Sequence, residues 1–208
     1  MPQLLPDDTL WQMDSHSFEM RVDNQTLAHW VSGGACCEAV DFQPRLATVL
    51  DILCSLVRHE GWHLRWQWSD WVVWQPREKN ILADMLANLC LDRQQSLAVR
   101  CCPPPAHANF ITVSDGASRA SSQKSSASWA VLSIAGGQCD LVAAGAVCID
   151  HFASSLDAEL VGLELALGAL LKISRGYADV VPHIAQLTLD ESEFQEVNHH
   201  LWSISSYT

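Results

Sequence analysis

The chain is predicted to fold as an α/β domain, with a mixed sheet flanked by helices, on three observations. Residues 110–149 hold three apolar runs, separated by a polar stretch and by Gly136-Gly137, which is the pattern of an antiparallel meander. Residues 156–173 follow as a long apolar segment with no proline, read as a helix packed on that sheet. Residues 18–30 and 74–88 each pass from strand-like residues into a helical period.

The first run, Phe110-Ile111-Thr112-Val113-Ser114-Asp115-Gly116, reads as a buried strand that delivers a carboxylate to its own C-terminal edge, with Gly116 expected at a sharp turn. A polar loop is expected over 119–128. The helix after the meander begins Leu156-Asp157-Ala158-Glu159-Leu160, so Glu159 lies in its first turn among apolar neighbours. Burying that carboxylate is costly unless a cation or hydrogen-bond donors meet it. An acid near a helix N-terminus also favours the dipole with no further role, and the two readings stand level on local grounds.

At the N-terminus, residues 1–15 have neither a basic n-region nor an apolar h-region, so a signal peptide and an anchor are not expected and an intracellular location, cytoplasm or nucleus, is. Residues 18–22 alternate as a strand, and helix-compatible residues then run to Gly33-Gly34. Asp23 between them is either a chemical acid or the N-cap of that helix, and locally the cap is favoured. Residues 44–59 carry a broad apolar stripe and are expected in the core. Residues 61–74 hold Trp62, Trp66, Trp68, Trp71 and Trp74, which fill a core or cover a sheet face more readily than they stack on bases. The helix from Ile81 buries positions 81, 82, 85, 86 and 89, leaving Asp84 at the edge of that face.

A strand ending in Asp115-Gly116, a meander, and a helix with an early Glu159 together resemble the first half of a ribonuclease H type 1 domain. Pro76-Arg77-Glu78-Lys79-Asn80 followed by Ala83-Asp84-Met85-Leu86-Ala87-Asn88 is similar to the end of the same domain, in its retrotransposon and plant-type versions. Residues 18–30 resemble the passage from the fourth strand to the next helix, with Asp23 as its acid. The chain thus carries the second half first, at 17–92, and the first half second, at 108–175. A proline-containing linker is expected over 93–107, with extensions at 1–16 and 176–208. Either the halves close as one circularly permuted domain, or they are two half-domains from a tandem array. The tail run Ile184–Asp190 offers Asp190 as a rival to Asp23.

The resemblance implies a two-metal phosphodiester hydrolase acting on the RNA strand of RNA–DNA hybrids. Two divalent ions ~3.5–4 Å apart activate water and neutralise the leaving oxygen. Mg²⁺ suits a carboxylate site, and Mn²⁺ is possible. Asp115 would bridge the ions, Glu159 and Asp23 would complete one site, and Asp84 the other. Arg77, Lys79 and Arg119 are the expected nucleic-acid contacts, and other domains of a retroelement polyprotein the expected protein partners. Many such domains carry a histidine in the loop that here reads Gln75-Pro76-Arg77-Glu78-Lys79. With 12 basic against 24 acidic residues the net charge is −12, so global attraction to phosphate is absent and binding is expected to be weak and salt-sensitive. A catalytically silent interaction module is the alternative. Eight cysteines without Cys-x-x-Cys spacing are expected as thiols. No run of about twenty apolar residues predicts a membrane span.

Overall fold

The computed structural model describes residues 17–34, 36–58, 63–64, 72–100, 104, 108–149 and 153–175. The strand expected at 184–190, and Asp190 with it, lies outside the described residues, as do both terminal extensions and Trp62, Trp66, Trp68 and Trp71. Within them the protein is mixed α/β. Its strands are β1 (Ser17–Val22), β2 (His63–Leu64), β3 (Val72–Trp74), β4 (Leu97–Arg100), β5 (Asn109–Arg119), β6 (Lys124–Ala135) and β7 (Gln138–Ile149). Its helices are α1 (Gln25–Val31), α2 (Gln43–Arg58), α3 (Ile81–Arg93) and α4 (Ser155–Ser174).

All seven strands join one sheet in the order β2-β1-β5-β6-β7-β4, with β3 also pairing on β1. The meander β5-β6-β7 is antiparallel. β1 lies parallel to β5 through Phe18↔Phe110 to Arg21↔Val113, and β2 and β3 pair in parallel with successive stretches of β1. Segments on either side of residues 93–107 therefore lie side by side in a single sheet.

Alternation along the strands divides the core. Phe18, Met20, Phe110, Trp129 and Val131 meet α1, α2 and α4 in one cluster, through Leu27, Val49, Leu56, Leu160 and Leu167. Ile111, Val113, Ala130, Leu132 and Leu141 meet Leu82, Leu86 and Cys90 of α3 in the other. The sheet is thus covered on both faces, which accounts for its nearly continuous apolar strands.

Two expectations are corrected. The chain does not turn at Gly116: β5 runs on to Arg119, and β6 begins at Lys124, so the expected polar loop of 119–128 shrinks to a tight turn with Gln123 at φ 53°. Serines 125, 126 and 128 read as loop because they are polar, yet each is buried with its hydroxyl paired. Their Oγ atoms donate to the carbonyls of Ala153, Ala87 and Ala83 at 2.9, 2.7 and 2.6 Å. A buried hydroxyl so satisfied costs little, and these three fasten α3 and the approach to α4 onto β6. The linker is corrected too, because β4 lies within 93–107 and pairs antiparallel with β7, extending the sheet by one strand.

Candidate metal centre

Asp115 is set in β5 opposite Ser128 and is only 3% exposed. Its Oδ1 accepts the Gly116 N–H at 2.8 Å, while Oδ2 has no partner among the described residues. Glu159 reaches it because α4 sits directly on the strand. A Cβ on Gly116 would lie 2.2 Å from the Glu159 amide nitrogen and 2.4 Å from the Ala158 carbonyl carbon. One turn on, a Cβ on Gly162 would lie 2.7 Å from the Ser128 carbonyl oxygen and 2.9 Å from that of Asp115. The two glycines are thus read from contact rather than from turn geometry. Ser154 caps the helix by accepting the Asp157 N–H at 3.1 Å. Glu159 Oε1 accepts the Ser155 hydroxyl at 3.3 Å, and Oε2, buried, has no partner among the described residues.

Asp23 arrives from the neighbouring strand. The β1/β5 register, continued two residues past Arg21↔Val113, sets Asp23 level with Asp115. The local expectation that Asp23 caps α1 is corrected: Asn24 is the cap, its Oδ1 accepting the Leu27 N–H at 3.0 Å, which leaves the Asp23 carboxylate for the centre. Trp74 Nε1 donates to the Asp23 carbonyl at 2.9 Å, holding the end of β1. Asp23, Asp115 and Glu159 each present one oxygen, and these all lie within 4.8 Å of one another. That is the span a single divalent cation bridges.

Asp84 stands beside this group but is not one of the three. Its Oδ1 accepts from Arg77 Nε at 3.1 Å and from Arg77 Nη2, and its Oδ2 accepts from Asn88 Nδ2 at 3.1 Å. Of the expected nucleic-acid contacts, only Arg77 therefore faces the centre through a described bond. Arg119 pairs with Asp92 at the far end of β5. Lys79 lies exposed in the short 3₁₀ turn Arg77–Lys79.

Sequence reasoning gave no role to Asn80, which proves to be a hub. It is 1% exposed; its Nδ2 donates to the Ser114 carbonyl at 3.0 Å and its Oδ1 accepts from Gln75 Nε2 at 3.1 Å. It ties the loop before α3 to the residue preceding Asp115 and also favours the ionised form of Asp23. Its place in Pro76-Arg77-x-x-Asn80 was the available signal.

The electrostatics follow from burial. Asp115 is pushed up to about 8, first by loss of solvent and then by the charge of Asp23, with the Gly116 N–H opposing. Glu159 is pushed up to about 7, again by burial first and Asp23 second, while the Asn24 side chain and the Ser155 hydroxyl favour its charged form. Asp23 is raised by burial against the pull of backbone hydrogen bonding, Arg77 and Asn80. Buried carboxylates this close cannot all ionise near neutrality without a counter-cation. Two of the three buried side-chain oxygens without a partner among the described residues, Asp115 Oδ2 and Glu159 Oε2, are carboxylate oxygens, hard ligand atoms that a divalent metal would satisfy.

The chain matches no family model, no curated protein and no solved structure. Among the described residues no helix is long and apolar enough to cross a membrane.

Proposed function

We propose that the protein is a ribonuclease H-like domain with its halves in permuted order, acting as a metal-dependent endonuclease on the RNA strand of RNA–DNA hybrids. The observation that carries this reading is the convergence of Asp23, at the end of β1, Asp115 of β5 and Glu159 of α4, whose oxygens lie within 4.8 Å of one another, with Asp115 Oδ2 and Glu159 Oε2 buried and without a partner among the described residues. The single sheet, with the β1 strand of one half parallel to the β5 strand of the other, supports closure of the permuted halves. The retroelement origin implied by the Pro-Arg-x-x-Asn and Ala-Asp-x-Leu-Ala segments belongs to the same reading.

In it, Asp23, Asp115 and Glu159 would hold Mg²⁺ or Mn²⁺, and Asp84 would be the fourth acid of the site. Bound divalent ions supply an activated water and neutralise charge on the leaving oxygen. The chain's own part is to keep the three carboxylates fixed: Asn24 and Trp74 hold the end of β1, Gly116 and Gly162 seat α4, and Asn80 anchors the loop of Arg77. Hybrid recognition would rest on minor-groove 2′-hydroxyls and backbone shape, with Arg77, bonded to Asp84, as a cation beside the acids.

The test is cleavage of a labelled RNA–DNA hybrid in Mg²⁺ and in Mn²⁺, with Asp115→Asn as control. Metal-dependent cleavage lost in the variant is the expected result. A folded protein that cleaves in neither metal would leave the alternative, a catalytically silent module, which the pairing of Asp84 with Arg77 and the net charge of −12 favour.

A further inference from the structure

Resting on the metal-centre reading, we infer that Arg77 is a resident cation of the centre that holds Asp84 shut, so that the free protein loads one divalent ion rather than two. Both Asp84 carboxylate oxygens already have donors: Oδ1 meets Arg77 through Nε and Nη2, and Oδ2 meets the Asn88 amide. The carboxylate oxygens buried without a partner among the described residues, in contrast, belong to Asp115 and Glu159, inside the three-acid group that excludes Asp84. The buried oxygens without a donor are thus at one place and the guanidinium at the other.

Arg77 is placed to do this by its loop. Its turn, Arg77–Lys79, is bounded by Pro76 and by Asn80, whose amide is pinned to the Ser114 carbonyl. The guanidinium also acts electrostatically on Asp23 and Asp115 beyond its bond to Asp84, so its charge lies over the whole acidic group. A second divalent ion at Asp84 must either displace that guanidinium or sit beside it, and both are unfavourable. The Arg77 side chain is 68% exposed, so replacing it removes the guanidinium without opening the core. Arg77 is therefore a positioning residue for Asp84.

The test counts ions in the full-length chain by Mn²⁺ titration calorimetry and by electron paramagnetic resonance, where two ions on adjacent carboxylates show dipolar coupling. The wild-type protein is expected to bind one Mn²⁺ without coupling. Arg77→Met is expected to bind two with coupling, Arg77→Lys to return to one, and Arg77→Met with Asp84→Asn to return to one. Two ions in the wild type, or one in Arg77→Met, overturns the inference while the metal centre stands. No bound ion in any form overturns the metal centre and this inference together. Circular dichroism of each variant separates loss of folding from loss of a site.

Discussion

Gly116 lies directly beneath the amide of Glu159, so closely that a Cβ there would be 2.2 Å from the nitrogen. Backbone contact of this kind couples the strand that bears one carboxylate to the helix that bears another. The distance between the two acids is therefore a property of the packing of α4 on β5.

Gly116→Ala is accordingly expected to push α4 off the sheet and destabilise the protein by ~1–3 kcal/mol or more, the range for overpacked cores. Gly162→Ala, against two carbonyl oxygens, should behave likewise. Gly168, in the same helix with nothing within 4 Å of its built Cβ, is the contrast: Gly168→Ala should stabilise by ~0.5–1 kcal/mol. Chemical denaturation of the three variants checks this, and a loss in Gly168→Ala equal to that in Gly116→Ala would sink the contact argument.

Stability without metal should depend on pH in a definite direction. Asp115 and Glu159 keep their protons in the folded state up to about 8 and about 7, whereas in the unfolded chain both ionise near their ordinary values of 3.8 and 4.5. Between those limits the unfolded state binds fewer protons, so stability is full below about pH 4 as far as these groups are concerned and is lost as pH rises toward 8. Asp115→Asn should flatten the profile and raise the melting temperature at pH 8 in chelator. A metal-free melting temperature that climbs from pH 5 to pH 8, with Asp115→Asn following the same curve, would refute this.

Asn80→Ala should cost ~2–6 kcal/mol, at ~1–3 kcal/mol for each of two buried groups that lose a hydrogen-bond partner. It removes the Asn80 side chain from the Ser114 carbonyl and from the Gln75 amide, both in buried residues. The same change frees the loop that carries Arg77, so Mn²⁺ affinity should shift along with stability. Thermal denaturation and calorimetry measure the two effects separately.

If the proposed activity holds, affinity for a hybrid should be low and should fall with salt. Arg77 is the one expected nucleic-acid contact joined to the centre by a described bond, and the net charge of −12 opposes phosphate at long range. Raising salt from 50 to 200 mM should weaken binding, and Arg119→Ala should matter less than Arg77→Ala, because Arg119 is engaged with Asp92. Equal losses in the two variants would show that the hybrid lies along β5 rather than over the acidic group.

The α/β class, the meander and the long helix were legible in the amino-acid sequence, because period-2 and period-3.6 apolar patterns are local consequences of backbone geometry. So were Asp115, Glu159, Asp23 and Asp84 as notable acids. Local rules misread three places, each where a partner remote in the chain changes the balance. Serines 125, 126 and 128 look like loop until the carbonyls of α3 and Ala153 arrive to bond them. Gly116 looks like a turn until α4 is seen to occupy the space of its side chain. Residues 97–100 look like linker until β7 offers an edge. Asp23 looks like the cap of α1 until the geometry at the end of β1 gives that place to Asn24. The grouping of three acids and the separate pairing of Asp84 with Arg77 were likewise decided in three dimensions. Strand register and helix seating set distances between side chains far apart in the chain, and no local pattern encodes them.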